Sequence, residues 1–524
     1  MQEIIKPPEI LNPYNLKPSE VQDTTFVEDL KVQLLINAIP FNSSDTTGTK
    51  ALAQNVLTLM PCDIDTARYR QDILDDLISN KILRENVRSC VKKNLLELSE
   101  TSFYFSKTPT FSVGIPMLRL YKGLICNPPD FSAAKSKALK DVCSFLKAIK
   151  TSEEFSQLCD FIDTIANRGS VTFRVYLDDN GQPMKMSTFE LLKGEPKDKS
   201  RLMSFITKVF GGKPYEESLL LGVSHNEAGR VIQSSMQSQF LPVIEAYFVQ
   251  IKAVTSLLNP LDFYAGIAEY FVKLKERGFD ICRPALLPMY ERKMAVINAR
   301  NPLLLEAKND GSKVISNDIT YTPDKNMFVI TGPNNGGKTT YVTTIGLIQL
   351  MSQKGLFVPA ESAEVSFVDC IYTHFVSPDD ITKGEGRYRN ELRRIKDILE
   401  VATPYSLVIL DEPCGGTSYE EGCRQSLVLL DGFHQLGTTT YFTTHMHPVA
   451  TEIETKRFPA ARNLSVESRY DGKKLVYTYK VREGASGKSY GEEIAKEVGL
   501  VSESIEKMLT KRADKEGYAD IIRR

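Results

Sequence analysis

The stretch Met327-Phe328-Val329-Ile330-Thr331-Gly332-Pro333-Asn334-Asn335-Gly336-Gly337-Lys338-Thr339-Thr340-Tyr341 decides how this chain is read. Strand-forming residues run into a glycine-rich loop, and a helix opens on Lys338-Thr339. The pattern G-x-x-x-x-G-K-[ST] is met from Gly332 to Thr339. Glycines let the backbone curl so that successive N–H groups turn toward phosphate oxygens. The helix behind them adds the positive end of its dipole. Gly332, Pro333, Asn334, Asn335, Gly336, Gly337, Lys338, Thr339 and Thr340 are therefore the expected phosphate cradle. In such a loop the lysine faces the β- and γ-phosphates and the hydroxyl binds Mg²⁺, which assigns those parts to Lys338 and Thr339. The segment implies a nucleoside triphosphate site.

Two further strand ends answer it. Leu407-Val408-Ile409-Leu410-Asp411-Glu412 is a buried-strand pattern closing on two carboxylates, 73 residues after Lys338. An acid at that place holds Mg²⁺ directly or through water, so Asp411 is the expected metal ligand. Glu412 follows it, in position to polarise an attacking water. The run Thr438 to Thr444 ends at His445, which is able to hydrogen-bond a γ-phosphate and so report its presence. Lys338, Glu412 and His445 form the expected catalytic set, while His447 reads as a surface residue.

At 524 residues the chain is too long for one core, and two to four domains are expected. Hydrophobic residues at 42% and charged residues at 25% are those of an ordinary globular protein. Lys and Arg total 65 against 66 Asp and Glu, so any nucleic-acid contact must come from a local basic surface. The opening MQEIIKPPEILNPYNLKPSE lacks a basic segment followed by an apolar one, so no secretory signal is expected. No uninterrupted apolar stretch reaches membrane-spanning length. Nine cysteines without C-x-x-C spacing fit reduced thiols, and the cytoplasm is the expected location.

Along the chain, residues 1–20 are proline-rich and expected to be extended, and helical spacing dominates from Val27 to about Lys150. Ile73, Leu74, Leu77 and Ile78 form an apolar stripe amid Asp72, Asp75 and Asp76. Near Val171 the period changes to alternation, Val171, Phe173, Val175 and Leu177, followed by Asp179-Asn180-Gly181 and a return strand through Met184 and Met186. Lys193, Lys197, Lys199, Arg201, Lys208 and Lys213 then make a basic segment, diluted by Glu195 and Asp198 and read as a solvated face, with a nucleic-acid contact as the alternative. Asn259 and Pro260 are placed as N-cap and first-turn proline of a helix closing at Gly278. Strand–helix alternation begins near Asn301-Pro302 and continues to about Gly499.

These motifs together resemble the MutS family of ABC-type ATPases that serve DNA mismatch repair and related DNA processing. The resemblance is carried in order by GPNNGGKTTY, Gly355 to Ala360, Pro378-Asp379-Asp380, the run from Asp411 to Ser418, Thr444-His445, and Gly484 to Gly491. It implies an α/β P-loop NTPase (ABC-type) domain over about 296–510, preceded over 21–295 by a mainly α-helical lever/core domain. That domain carries a β-containing insert, a small hairpin, at about 168–215; residues 511–524 form a C-terminal tail. It further implies ATP as substrate with Mg²⁺, a homodimer closing on ATP, and DNA as ligand, recognised by shape or backbone, with no membrane. In this family a signature helix from the partner completes each site; here it would begin near Gly386, with Tyr388 and Glu391 at the expected aromatic-x-x-Glu spacing and Arg387 able to supply a charge.

The chain also departs from the family pattern. Gly386 stands where a serine is expected, offering a backbone N–H but no hydroxyl. Of two aromatics that flank adenine, the upstream one maps near Val314 and the downstream one to Tyr479, so stacking is expected from one side. Pro413 precedes Cys414-Gly415-Gly416, with Gly415 in place of an arginine. Phe26-Val27-Glu28 has the form of the mismatch wedge, but with 25 residues before it the match is expected to be accidental. A short form holding lever and ATPase, without the mismatch-reading domain, is therefore expected. The competing expectation is a nucleotide-gated scaffold that binds protein or RNA.

Overall fold

The computed structural model describes residues 6–14, 16, 24–42, 48–60, 62–102, 111–166, 170–177, 179, 183–192, 245–308, 313–376, 387–455, 457–470, 475–485 and 495–516. These divide into two compact units, interleaved in sequence. One comprises Met1–Pro13, Phe41–Leu52 and Asp75–Gly266; the other comprises Tyr14–Pro40, Ala53–Leu74 and Ile267–Arg524.

The first unit is chiefly helical, with helices Lys81–Ser102, Phe111–Cys126, Lys137–Lys150 and Glu153–Ala166. Apolar spacing explains each burial. In Lys137–Lys150, for instance, Leu139, Val142, Leu146 and Ile149 fall on one stripe and are all buried. Asp76 is not part of a solvated flank as its neighbours imply. It is buried and accepts backbone N–H bonds from Lys135 at 3.0 Å and Ser136 at 2.7 Å, fixing the entry to that helix. The strands Ser170–Leu177 and Pro183–Leu192 pair antiparallel, with Val175 opposite Met186. The turn residues Asn180-Gly181 and the basic segment 193–213 lie outside the described residues.

The helix Leu258–Glu276 has residues in both units. It starts one residue before Asn259, so Asn259 is not its N-cap. Instead the Asn259 side chain accepts a bond from the Thr49 hydroxyl at 3.3 Å, a tertiary contact that outweighs the local cap preference. Gly278, with φ of 83°, follows the helix end.

The second unit is mixed α/β and is built on two sheets. Its six-stranded sheet has the order Leu475–Glu483, Ala461–Tyr470, Met327–Thr331, Thr439–Thr443, Leu407–Asp411, Ile371–Phe375. The last five strands are mutually parallel, and Leu475–Glu483 is antiparallel to its neighbour. Every residue of Met327–Thr331, Leu407–Asp411 and Thr439–Thr443 is buried, as expected for parallel strands covered on both faces. The helix Lys338–Gln353 is buried continuously from Tyr341 to Ser352. A second sheet of four strands, Ala285–Leu287, Ser362–Ser366, Met294–Ala299 and Asn317–Tyr321, lies in the same unit.

Short helices from early in the chain belong to this unit. Leu30, between the helices Thr25–Asp29 and Val32–Ala38, is fully buried and presses on Gly346, where an added Cβ would meet both Leu30 methyls at 2.7 Å. Close packing recurs where Gly355 ends the turn after Gln353. Its φ is 77°, and a Cβ there would lie 2.5 Å from the Ala67 carbonyl oxygen. The same junction holds buried Arg70, which donates to the Lys354 carbonyl at 3.2 Å, while Lys354 Nζ donates to the Met60 carbonyl at 2.6 Å. Burial pushes the Lys354 ammonium down to about 8.

Gly355→Ala is expected to destabilise the unit by about 2–4 kcal/mol, combining left-handed strain with a backbone clash. Gly278→Ala, at φ of 83° with nothing within 4 Å, should lose only about 1 kcal/mol from backbone strain. Urea unfolding midpoints of the two variants compare them directly. Equal losses would show that Gly355 is not closely packed.

Candidate functional site

The carboxyl ends of three adjacent strands meet at one edge of the six-stranded sheet. Pairing places Thr443 beside both Ile330 and Asp411, so the ends of Met327–Thr331, Thr439–Thr443 and Leu407–Asp411 are level. Ligands of open parallel sheets bind outside such ends. Here these ends carry the Gly332–Gly337 loop, Asp411-Glu412, and Thr444-His445.

The loop is shaped by backbone conformations that few residue types adopt. Asn335 has φ of 63° and Gly337 φ of 103°. A Cβ on Gly336 would approach the Pro333 carbonyl oxygen to 2.9 Å, and that oxygen already accepts the Gly336 N–H at 3.0 Å. Lys338 opens the helix with its side chain almost wholly enclosed. Its Nζ donates to the Gly332 carbonyl at 2.9 Å and pairs with Glu412 Oε1 at 3.0 Å.

Thr339 and Asp411 are joined directly: the hydroxyl donates to Oδ2 at 2.7 Å. Asp411 Oδ1 accepts a second bond, from Thr443 Oγ1, at 2.6 Å. Burial raises the Asp411 pKa from its ordinary value, the Glu412 charge adds to that, and the two hydroxyl bonds with the Lys338 charge oppose it. His445 is about half exposed, with Nδ1 at 3.9 Å from Glu412 Oε2, too far for a hydrogen bond. His447 is half-buried and opens the helix His447–Glu454.

A hydroxyl and a carboxylate oxygen side by side suit a hard cation such as Mg²⁺, which is held by one or two carboxylates with substrate phosphates and water. Among the described residues no cluster of three or more His, Cys, Asp or Glu forms a dedicated protein cage. The donor set thus fits a magnesium ion that arrives with a phosphate group.

Beside the loop lies a cavity of about 240 Å³, lined by Asn301, Leu304, Val314, Ile315, Asn317, Ile319, Gly337, Thr340, Tyr341 and Tyr479 among others. Its two amides are committed to the fold. Asn301 donates to Thr344 Oγ1 at 3.0 Å, and Asn317 donates to the Tyr479 carbonyl at 2.9 Å while accepting the Val481 N–H. The cavity thus presents apolar side chains together with Lys308 and Lys313. Tyr479 has φ of 59° and lies where the pairing of Ala461–Tyr470 with Leu475–Glu483 is irregular; such bulges re-aim side chains. Its ring packs by Gly337, where a Cβ would come within 3.2 Å of it. Val314 is buried in the wall and offers no ring.

The residues matched to a partner-facing signature fall in two groups. Gly386 lies outside the described residues, and Arg387 begins the helix Arg387–Val401. Tyr388 is half-buried on its first turn. Glu391 turns against its own chain: it is buried, accepts the Cys414 N–H at 2.6 Å, and lies 3.6 Å from His374. The reason is helical geometry, since Glu391 shares its face with buried Ile395 and Ile398. Sequence reasoning also passed over Thr443. Its only signal was a threonine closing a buried strand one strand away from Asp411.

The family model described as MutS domain V matches residues 328–514. The chain is 32% identical over 296 residues to the DNA mismatch repair protein MutS of Chlorobaculum tepidum, covering 56% of this chain and 32% of that protein. It is 36% identical over 220 residues to the protein of the same description from Caldanaerobacter subterraneus subsp. tengcongensis, covering 42% and 25% respectively. For that of Fervidobacterium nodosum, identity is 30% over 296 residues, covering 56% and 34%. The matches thus span about a third or less of these relatives' own length. The glycine-rich loop and the strand-end carboxylates lie inside the region that is similar to MutS domain V.

Proposed function

We propose that the chain is an ABC-type P-loop ATPase that couples ATP binding, and closure of two copies, to action on DNA in mismatch repair or related processing. One observation carries the reading: Lys338, Thr339, Asp411, Glu412 and His445 converge at the level ends of three adjacent parallel strands. The DNA part rests on the relatives, which are described as DNA mismatch repair proteins.

In this reading Thr339 and Asp411 hold Mg²⁺. When bound, the ion neutralises charge on the β- and γ-phosphates. Lys338 adds a point charge to the same groups. Lys338 also pairs with Glu412 Oε1 at 3.0 Å, so the phosphates would compete with that carboxylate for its charge. Glu412 is thereby freed to accept a proton from the attacking water. His445, exposed at the adjacent strand end, donates to the γ-phosphate. Tyr479 supplies one face of the adenine site and the apolar side chains of the cavity the rest. Gly386, Arg387 and Tyr388 would complete the site of a second copy, whereas Glu391 holds the Cys414 loop of its own chain.

Glu412→Gln is expected to retain ATP binding and lose steady-state hydrolysis by at least about a hundredfold, the usual weight of a general base. Lys338→Ala should weaken nucleotide binding itself. Phosphate release and equilibrium titration separate the two effects, and near-native hydrolysis by Glu412→Gln would refute its assignment.

Tyr479→Ala should weaken ADP and ATP binding alike, by about 1–2 kcal/mol, as loss of a stacking ring from a base predicts. Calorimetry with both nucleotides measures it. Unchanged affinity for both would reduce Tyr479 to a packing role.

The DNA reading is tested by ATPase rates and binding curves with no DNA, homoduplex, one-mismatch duplex and a four-way junction, at two salt concentrations. Backbone recognition predicts binding that follows DNA shape and falls steeply with salt as counterions are released. Absence of binding to any of them in every nucleotide state would favour a scaffold for protein or RNA.

A further inference from the structure

Thr443 occupies a position at which one hydroxyl meets both acidic residues of the site, the carboxylate of Asp411 and the backbone N–H of Glu412. The side chain is fully buried at the end of Thr439–Thr443, directly beside Asp411 in the parallel ladder. Its Oγ1 donates to Asp411 Oδ1 at 2.6 Å and accepts the backbone N–H of Glu412 at 2.9 Å. Glu412 has φ of 51°, a left-handed conformation that a long side chain rarely adopts. The bond to Thr443 holds the peptide where that conformation begins.

The arrangement also makes the two oxygens of Asp411 unequal. Oδ1 is committed to a hydroxyl that cannot leave without also releasing the Glu412 N–H. Oδ2 accepts the Thr339 hydroxyl at 2.7 Å, its one hydrogen bond among the described residues. A valine in place of Thr443 would keep the shape and lose both bonds. A serine would keep both bonds and lose one methyl group.

We propose that Thr443 is a positioning residue for the magnesium nucleotide. Its hydroxyl fixes Asp411 so that Oδ2 alone faces the cation, and it fixes the left-handed turn that aims Glu412 at the phosphate site. This rests on the reading of the site as one for magnesium and ATP. Groups that orient a metal ligand from behind affect metal affinity about 10–100-fold when removed.

The test is equilibrium titration of the full chain with a fluorescent ATP analogue, in excess EDTA and again in magnesium. Thr443→Val is expected to bind as wild type does in EDTA and to lose about tenfold or more of the gain that magnesium confers. Thr443→Ser should restore that gain. Thr443→Ala removes the same hydroxyl and carries the test if the valine variant does not fold, as judged by its melting curve. Hydrolysis at saturating magnesium nucleotide should fall in the Val and Ala variants through kcat, since Glu412 loses its anchor. The proposal is overturned if Val and Ala keep the full magnesium gain, if affinity falls equally in EDTA and magnesium, or if Ser behaves as Val does. A wild-type chain that binds the analogue in neither condition would sink the ATP reading itself, and this inference with it.

Discussion

The level ending of three parallel strands is the constraint on which the site depends. Parallel ladders fix relative register, because a one-residue slip would turn every side chain to the opposite face. With Met327–Thr331, Leu407–Asp411 and Thr439–Thr443 buried throughout, such a slip would break each strand's packing against both covering layers. The register that preserves the core sets Thr443 beside Asp411 and brings the lysine of the loop within reach of Glu412. Packing thus determines the distances among polar groups that lie just beyond the packed region.

Those polar groups satisfy one another. Lys338, almost wholly enclosed, has a carbonyl and a carboxylate as partners; Asp411 has two hydroxyls; Glu391 has the Cys414 N–H. Breaking such a buried set by removing one partner costs far more than the set contributes as a whole, because the remaining group is left desolvated and unpaired. The same property makes the set replaceable by a ligand. In the proposed function, a phosphate group with its cation would offer Lys338 an anion and Asp411 a positive charge, taking over these bonds without leaving either group bare. The His374 imidazole behaves differently. It is buried, and among the described residues neither ring nitrogen has a hydrogen-bond partner; Nε2 lies 3.6 Å from Glu391 Oε1. The helix Thr25–Asp29 is tied to that strand by the Thr373 hydroxyl, which donates to Asp29 Oδ2 at 2.7 Å.

Much of the candidate site was legible in the sequence because its parts are short and local. A strand, a loop with glycines at fixed offsets and a helix lie within fifteen consecutive residues, and an apolar run closing on Asp411-Glu412 declares its own buried strand. What could not be read required knowledge of neighbours distant in the chain. Asp76 has the appearance of one more solvated acid until the backbone at Lys135 and Ser136 is brought to it. Asn259 has the composition of a cap, yet Thr49 takes its side chain. Glu391 matched a partner-facing pattern by spacing alone, and only the position of the Cys414 loop shows which way it turns. Thr443 was hidden for the same reason, since its partners belong to the adjacent strand.

The backbone records the same division between core and site. Among the described residues, non-glycine positions with positive φ are Lys31, Arg292, Asn298, Asn335, Glu412, Cys414 and Tyr479. The last four all lie in segments that form the candidate site: the phosphate loop, the turn after Asp411 and the wall of the cavity. Left-handed backbone at ordinary residues persists only where surrounding structure over-determines it, and it gathers where side chains must be aimed rather than merely packed. Each of three positions has a visible restraint. Glu412 is held through Thr443, Cys414 through Glu391, and Tyr479 through Asn317. All three restraints are single hydrogen bonds between a polar side chain and the backbone of the strained residue itself; Thr443 and Glu391 accept, and Asn317 donates. Strain and restraint therefore coincide residue by residue, so the stability of the surrounding fold is transmitted to the aim of these side chains through a few polar contacts.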